Sequence, residues 1–160
     1  MKNILIVDMQ RGFIKDINKH LIDGINKYLA ENDFSNIIFT KCVNNNNSPF
    51  MSILNWSGVT TAIEQEIVVN IPQNSHIMTK SGYGITNNDI AFLKGLGIKE
   101  IEICGTDIDA CVLAISFNLF DNGIKPKIIS SLCASSSKNT AIYKNTLDIM
   151  KRQFGDDCII

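Results

Sequence analysis

The chain has 160 residues, 45% of them hydrophobic and 19% charged, with 15 Lys and Arg against 16 Asp and Glu and a formal net charge of −1. A chain of this size supports a single domain with its own core, taken as residues 1–160. The even charge balance gives no net field to draw the chain to nucleic acid or a membrane, and no apolar stretch reaches the about 18 residues of a spanning helix.

The first element is a strand, "NILIVD" at 3–8, whose oily run ends on Asp8. The segment "MKNILIVDMQRGF" has no small-residue cleavage site and does not read as a secretion signal. Further strands are expected at 36–43 ("NIIFTKCV"), 76–80 ("HIMTK"), 100–105 ("EIEICG") and 127–132 ("KIISSL"), with a sixth short edge strand at "DCII". Helix-length segments lie at 19–32, 87–97, 110–122 and 138–152. Strand–helix alternation with strands oily on both faces implies a parallel sheet covered on both sides. The predicted fold is therefore a three-layer α/β/α sandwich, Rossmann-like, with a mainly parallel sheet of about six strands.

One segment, "NNNNSPFMSILNWSGV" at 44–59, is too polar and too punctuated by Pro49 and Gly58 to be a simple element. Long loops at the carboxyl ends of parallel strands build pockets, so Phe50, Trp56 and Tyr83 (in "SGYGI") are candidate pocket aromatics or caps on the core.

The segment "GTDIDACVLAISFNLFDNGI" at 105–124 carries the sharpest chemical signal. Asp109 stands where an N-cap belongs and Gly123 where a C′ residue belongs. Cys111 then falls near the second residue of the helix, where free N–H groups stabilise a thiolate and can receive an oxyanion. A buried, inert thiol fits the same position, and both readings stay open on this segment alone. Asp107 has no evident structural duty. The two histidines, His20 and His76, lie away from the expected carboxyl ends, so a Cys–His pair is poorly supported. Asp8 and Lys80, each closing a strand, are the remaining candidates to act on the thiol.

The five cysteines, at 42, 104, 111, 133 and 158, are odd in number and form no CxxC, which points to reduced thiols in a cytoplasmic protein. Cys42, Cys104 and Cys133 are expected in or beside buried strands, and Cys158 is expected to be accessible but without an anion-stabilising environment. Cys111 is therefore predicted to be the first thiol that limiting iodoacetamide labels.

Three blocks, "ILIVDMQRGF" at 4–13, "IMTKSGYGI" at 77–85 and "ICGTDIDACVLAISFNLFDNGIKPKIISSLCAS" at 103–135, resemble the isochorismatase-like cysteine hydrolases, which include nicotinamidases and N-carbamoyl amidohydrolases. The likeness spans nearly the whole chain. It implies a catalytic triad of Asp8, Lys80 and Cys111, a cis peptide joining Thr106 to Asp107, and an oxyanion hole from the N–H groups of Asp107 and Cys111. It also places Gln10 near the site and Phe13 in its lining, and implies a homo-oligomer, dimer or tetramer. Nicotinamidases carry an Asp-x-His and a further His after the second strand for a divalent metal. Here that region reads "TKCVNNNNSPF" without His, so no metal and no other cofactor is expected. The expected activity is hydrolysis of a small amide or carbamoyl compound through a thioester. The alternatives are a ligand-binding or redox-sensing protein on the same scaffold, or a nicotinamidase with an atypical metal site.

Overall fold

The computed structural model describes residues 2–160. Five strands form one sheet: β1 (Lys2–Val7), β2 (Phe34–Cys42), β3 (His76–Lys80), β4 (Glu100–Thr106) and β5 (Lys125–Ala134). Every pairing is parallel and the order is β3-β2-β1-β4-β5. Ile4, Leu5, Ile6 and Val7 are four consecutive residues without exposed surface. Since alternate side chains of a strand point to opposite faces, β1 must be covered on both. The coverage comes from α1 (Leu21–Glu31), α3 (Asn87–Gly95), α4 (Leu113–Asp121) and α5 (Thr140–Phe154), while a single turn, α2 (Pro49–Ser52), interrupts the loop after β2.

The sixth strand expected at "DCII" does not form. Gly155, at φ 95°, turns the chain into a 3-10 turn over Asp156–Cys158, and only an isolated bridge from Ile159 to Ile128 remains beside β5. The same packing buries Cys158 completely, contrary to the accessibility expected of it.

The chain leaves β1 toward β2 and β3 on one side, then returns to place β4 and β5 on the other. Between β1 and β4 the loops diverge, and that divergence opens a crevice at the carboxyl ends of the strands. Gly105 permits the close approach of the two strands. A Cβ there would lie 2.2 Å from the carbonyl oxygen of Val7, and its φ of +121° is one that other residues rarely adopt. The strand end carrying residues 106 and 107 is thereby pressed against the strand end carrying Asp8.

Candidate active site

Asp8 follows β1 at φ 48°, a left-handed conformation that a short polar residue tolerates but does not prefer. This turns its carboxylate out of strand alternation and into the crevice. The Thr40 hydroxyl, from β2, donates to Asp8 Oδ1 at 2.6 Å and accepts the Asp8 N–H at 3.1 Å. Asp8 Oδ2 lies 2.7 Å from Lys80 Nζ, and both side chains are almost wholly buried. Lys80, the last residue of β3, also donates to the carbonyl of Gly82 at 2.8 Å and to Cys111 Sγ at 3.2 Å. The lysine therefore stands between carboxylate and thiol and touches both.

Cys111 sits one turn before α4. The entry is a π-helical turn, Ile108–Val112, in which the carbonyl of Asp107 accepts from both Ala110 and Val112 N–H groups at 3.1 Å. Asp109 is not the N-cap: Asp107 is, and Asp109 makes no capping bond, because the wider turn starts two residues earlier than the sequence pattern places it. Cys111 accordingly lies in the fourth position of the turn, not the second. Asp107 has a structural duty after all. Its carboxylate accepts from the Ser136 N–H at 2.9 Å, the Ser136 hydroxyl at 2.5 Å and the Thr106 hydroxyl, tying the end of β4 to the segment after β5. The Thr106–Asp107 peptide is cis, and the Asp107 N–H makes no hydrogen bond among the described residues.

Burial pushes the Cys111 thiol well above the ordinary range, and the charge of Asp8 pushes it further, while Lys80 pulls it down. For Lys80, burial pulls the ammonium down, but Asp8 and Cys111 outweigh it and leave the pKa raised. Burial and Asp8 thus favour the neutral thiol, and Lys80, paired with Asp8, opposes them. All five cysteines are buried, and burial is the leading cause of the raised pKa of each of the other four, with Cys42 pushed up to about 11 and Cys133 to about 12. Cys133 lines a separate cavity, and what sets Cys111 apart is that it lines a cavity while its sulfur accepts from Lys80.

That cavity, of about 530 Å³, is lined by Phe13, Phe50, Trp56 and Tyr83 together with Thr106, Asp107 and Cys111. Such a volume suits a small molecule. The four aromatics form one wall: Phe13 stacks on Trp56 at 6.0 Å, and Phe50 meets Trp56 and Tyr83 edge-on at 5.5 and 5.0 Å. Gly58 makes room for the indole, since a Cβ there would lie 2.3 Å from the Trp56 ring. Tyr83 is held by its loop. The Ile85 N–H donates to Asn118 of α4, and that Asn118 oxygen would lie 2.2 Å from any Cβ at position 84.

Gln10 is not in the lining. Its amide is spent on backbone, donating to the carbonyls of Cys42 and Gln65 and accepting the Cys42 N–H at 2.7 Å, so it fastens the loops behind the site. Several residues that matter to the geometry were not legible beforehand. Thr40 was one, although a hydroxyl in the oily run "IIFTKCV" is a signal that some buried group needs a partner. Asn18, Lys15 and Ser136 carried no such signal.

A family model described as the isochorismatase domain matches residues 2–157. The chain belongs to the isochorismatase family of hydrolases. No curated protein matches the sequence. Among solved structures, this family member resembles the pyrazinamidase of Pyrococcus horikoshii in complex with zinc, at 20% identity and TM-score 0.82, covering 96% of this chain and 97% of that one. It also resembles the N-carbamoylsarcosine amidase of Thermoplasma acidophilum, at 15% identity and TM-score 0.81, covering 97% and 94%. The nicotinamidase PncA of Bacillus subtilis follows at 17% identity and TM-score 0.77, covering 97% of each chain. At these identities the likeness establishes the shared isochorismatase fold.

A zinc site of the kind implied by the Pyrococcus protein does not fit the donors present here. Among the described residues no three His, Cys, Asp or Glu side chains are grouped to hold a metal. In the loop after β2, Asn44 is already spent: its Nδ2 donates to the carbonyls of Trp56 and Gly58 at 2.9 and 2.8 Å, and its Oδ1 accepts from the Ser48 hydroxyl. Neutral amide and hydroxyl oxygens are in any case poor ligands for zinc or iron.

Proposed function

We propose that this protein is a metal-independent cysteine hydrolase acting on a small C–N substrate, an amide or carbamoyl compound. The observation that carries the proposal is the placement of Lys80 Nζ, 2.7 Å from Asp8 Oδ2 and 3.2 Å from Cys111 Sγ, at an aromatic-walled cavity. Asp8 takes the thiol proton as Sγ attacks the substrate carbonyl, and Lys80 compensates the charge as it moves between the two. The oxyanion is received by the N–H groups of Asp107 and Cys111. Asp8 returns its proton to the departing nitrogen, which leaves as ammonia or an amine, and a thioester remains. A water molecule then gives a proton to Asp8 and attacks the thioester, and the returning proton restores the thiol as the acid product leaves.

A raised thiol pKa suits this scheme, because the thiolate is needed only once substrate covers it. The same feature disfavours a redox sensor, which depends on a low-pKa, exposed thiol; Cys111 is 6% exposed and raised. Ammonia release measured over a panel of small amides, ureido acids and nicotinamide tests the proposal. Turnover of at least one compound is expected, at a rate unchanged after exhaustive dialysis against chelator. Silence across the panel overturns the hydrolase, and activity lost to chelator and restored by one metal ion per chain overturns the metal-independent mechanism.

A further inference from the structure

We propose that Lys15 selects substrates that carry a carboxylate at the end remote from the reacting carbonyl. This deepens the preceding proposal and rests on the Cys111 cavity being the substrate site. Outside the buried Asp8–Lys80 pair, the formally charged side chains of the cavity lining are Asp107 and Lys15. Asp107 keeps its charge but is tied to the protein by three hydrogen bonds from Ser136 and Thr106, which hold its carboxylate toward the segment after β5. Lys15 Nζ is the opposite case: among the described residues it forms no ion pair and no side-chain hydrogen bond, with neither Asp16 nor Asp107. Other surface lysines, Lys19 and Lys99 among them, also lack an ion pair, and what distinguishes Lys15 is that it lines the cavity that Cys111 lines.

The backbone at Lys15 is also fixed, while its side chain is exposed. Asn18, wholly buried, accepts the Lys15 N–H at 2.7 Å and donates to the Phe13 carbonyl at 3.0 Å and the Thr106 hydroxyl at 3.3 Å. This one side chain ties the loop that carries both the aromatic Phe13 and the cation to the strand end beside Asp107. An entering molecule therefore meets a thiol, an apolar wall and an ammonium that has no ion-pair partner among the described residues. The wall favours an apolar or planar body, and the exposed ammonium of Lys15 attracts an anion through a field that salt screens. An amide or ureido acid matches all three features; a neutral amide leaves the ammonium unused.

The test measures binding by calorimetry to Cys111→Ala protein, so that no turnover intervenes. The probes are 4-carbamoylbenzoate and its neutral methyl ester. The carboxylate is expected to bind about three- to ten-fold tighter than the ester, a preference that shrinks at high salt. In the Lys15→Met background the preference should fall to about one, and in Lys15→Glu it should reverse. Equal affinities for the two probes, no binding of the carboxylate, or a preference that survives Lys15→Met overturns the role of Lys15. If the charge preference behaves as expected while the wild-type protein releases no ammonia from any amide, the hydrolase reading falls and the anion selectivity stands.

Discussion

Cys111→Ala will abolish ammonia release, by about 10⁴-fold or more, while leaving the fold intact. The thiol is the group that makes and breaks the covalent bond in the proposed scheme, and the Thr106 and Ser136 hydroxyls in the lining donate to Asp107 and not to a base beside Lys80. The other cysteines cannot substitute, being buried in the core or away from this cavity. Removing one sulfur atom at the start of α4 leaves the Asp8–Lys80 pair and the Asp107–Ser136 tie in place, so thermal unfolding should shift by no more than about 1–2 kcal/mol of stability. Kinetic assay beside thermal denaturation separates the outcomes. A folded variant with undiminished turnover would remove Cys111 from the mechanism.

Lys80→Ala is expected to have the largest combined effect on stability and chemistry. The ion pair with Asp8 is buried on both sides, so removing the lysine strands a carboxylate in the interior, at a cost of about 3–5 kcal/mol. Lys80 has a raised pKa, so its contribution is fully present below the usual lysine range and is lost only as pH rises through the still higher folded value. Neutral solution lies well inside the stable window. The double variant Asp8→Leu/Lys80→Met should recover most of the lost stability, since an apolar pair replaces both charges, yet remain inactive. Lys80 also lowers the thiol pKa of Cys111 against the push of burial and of Asp8, so iodoacetamide should label Cys111 more slowly in Lys80→Ala than in the wild type. Faster labelling, or a stability loss that the double variant fails to recover, would contradict this account of the pair.

The strands were readable because parallel strands buried on both faces must be oily throughout, and all five lie within a few residues of the runs that mark them. The edge at "DCII" misled because a short apolar run does not reveal that Gly155 turns the chain just before it. Asp8 and Lys80 stood out for a physical reason: a carboxylate and an ammonium closing oily strands each need a partner. Gln10 was placed near the site by the resemblance alone, and its amide serves the backbone of Cys42 and Gln65, remote in sequence. Asp107 was unreadable for the same reason, as its partner Ser136 lies 29 residues on, beyond β5. Asp109 looked like a cap because the local pattern fits an α-helix, and a π-helical turn shifts the start to Asp107. The four aromatics were readable only as candidates, since their assembly into one wall depends on Gly58 and Asn118.

The central claim is a thioester on Cys111, and rapid acid quench of the wild-type protein with a turned-over amide, followed by peptide mass spectrometry, tests it most directly. The account predicts a transient acyl adduct on the peptide containing Cys111, sensitive to hydroxylamine, whose decay matches release of the acid product. An adduct on any other residue, or ammonia release at the wild-type rate in Cys111→Ala, would contradict it.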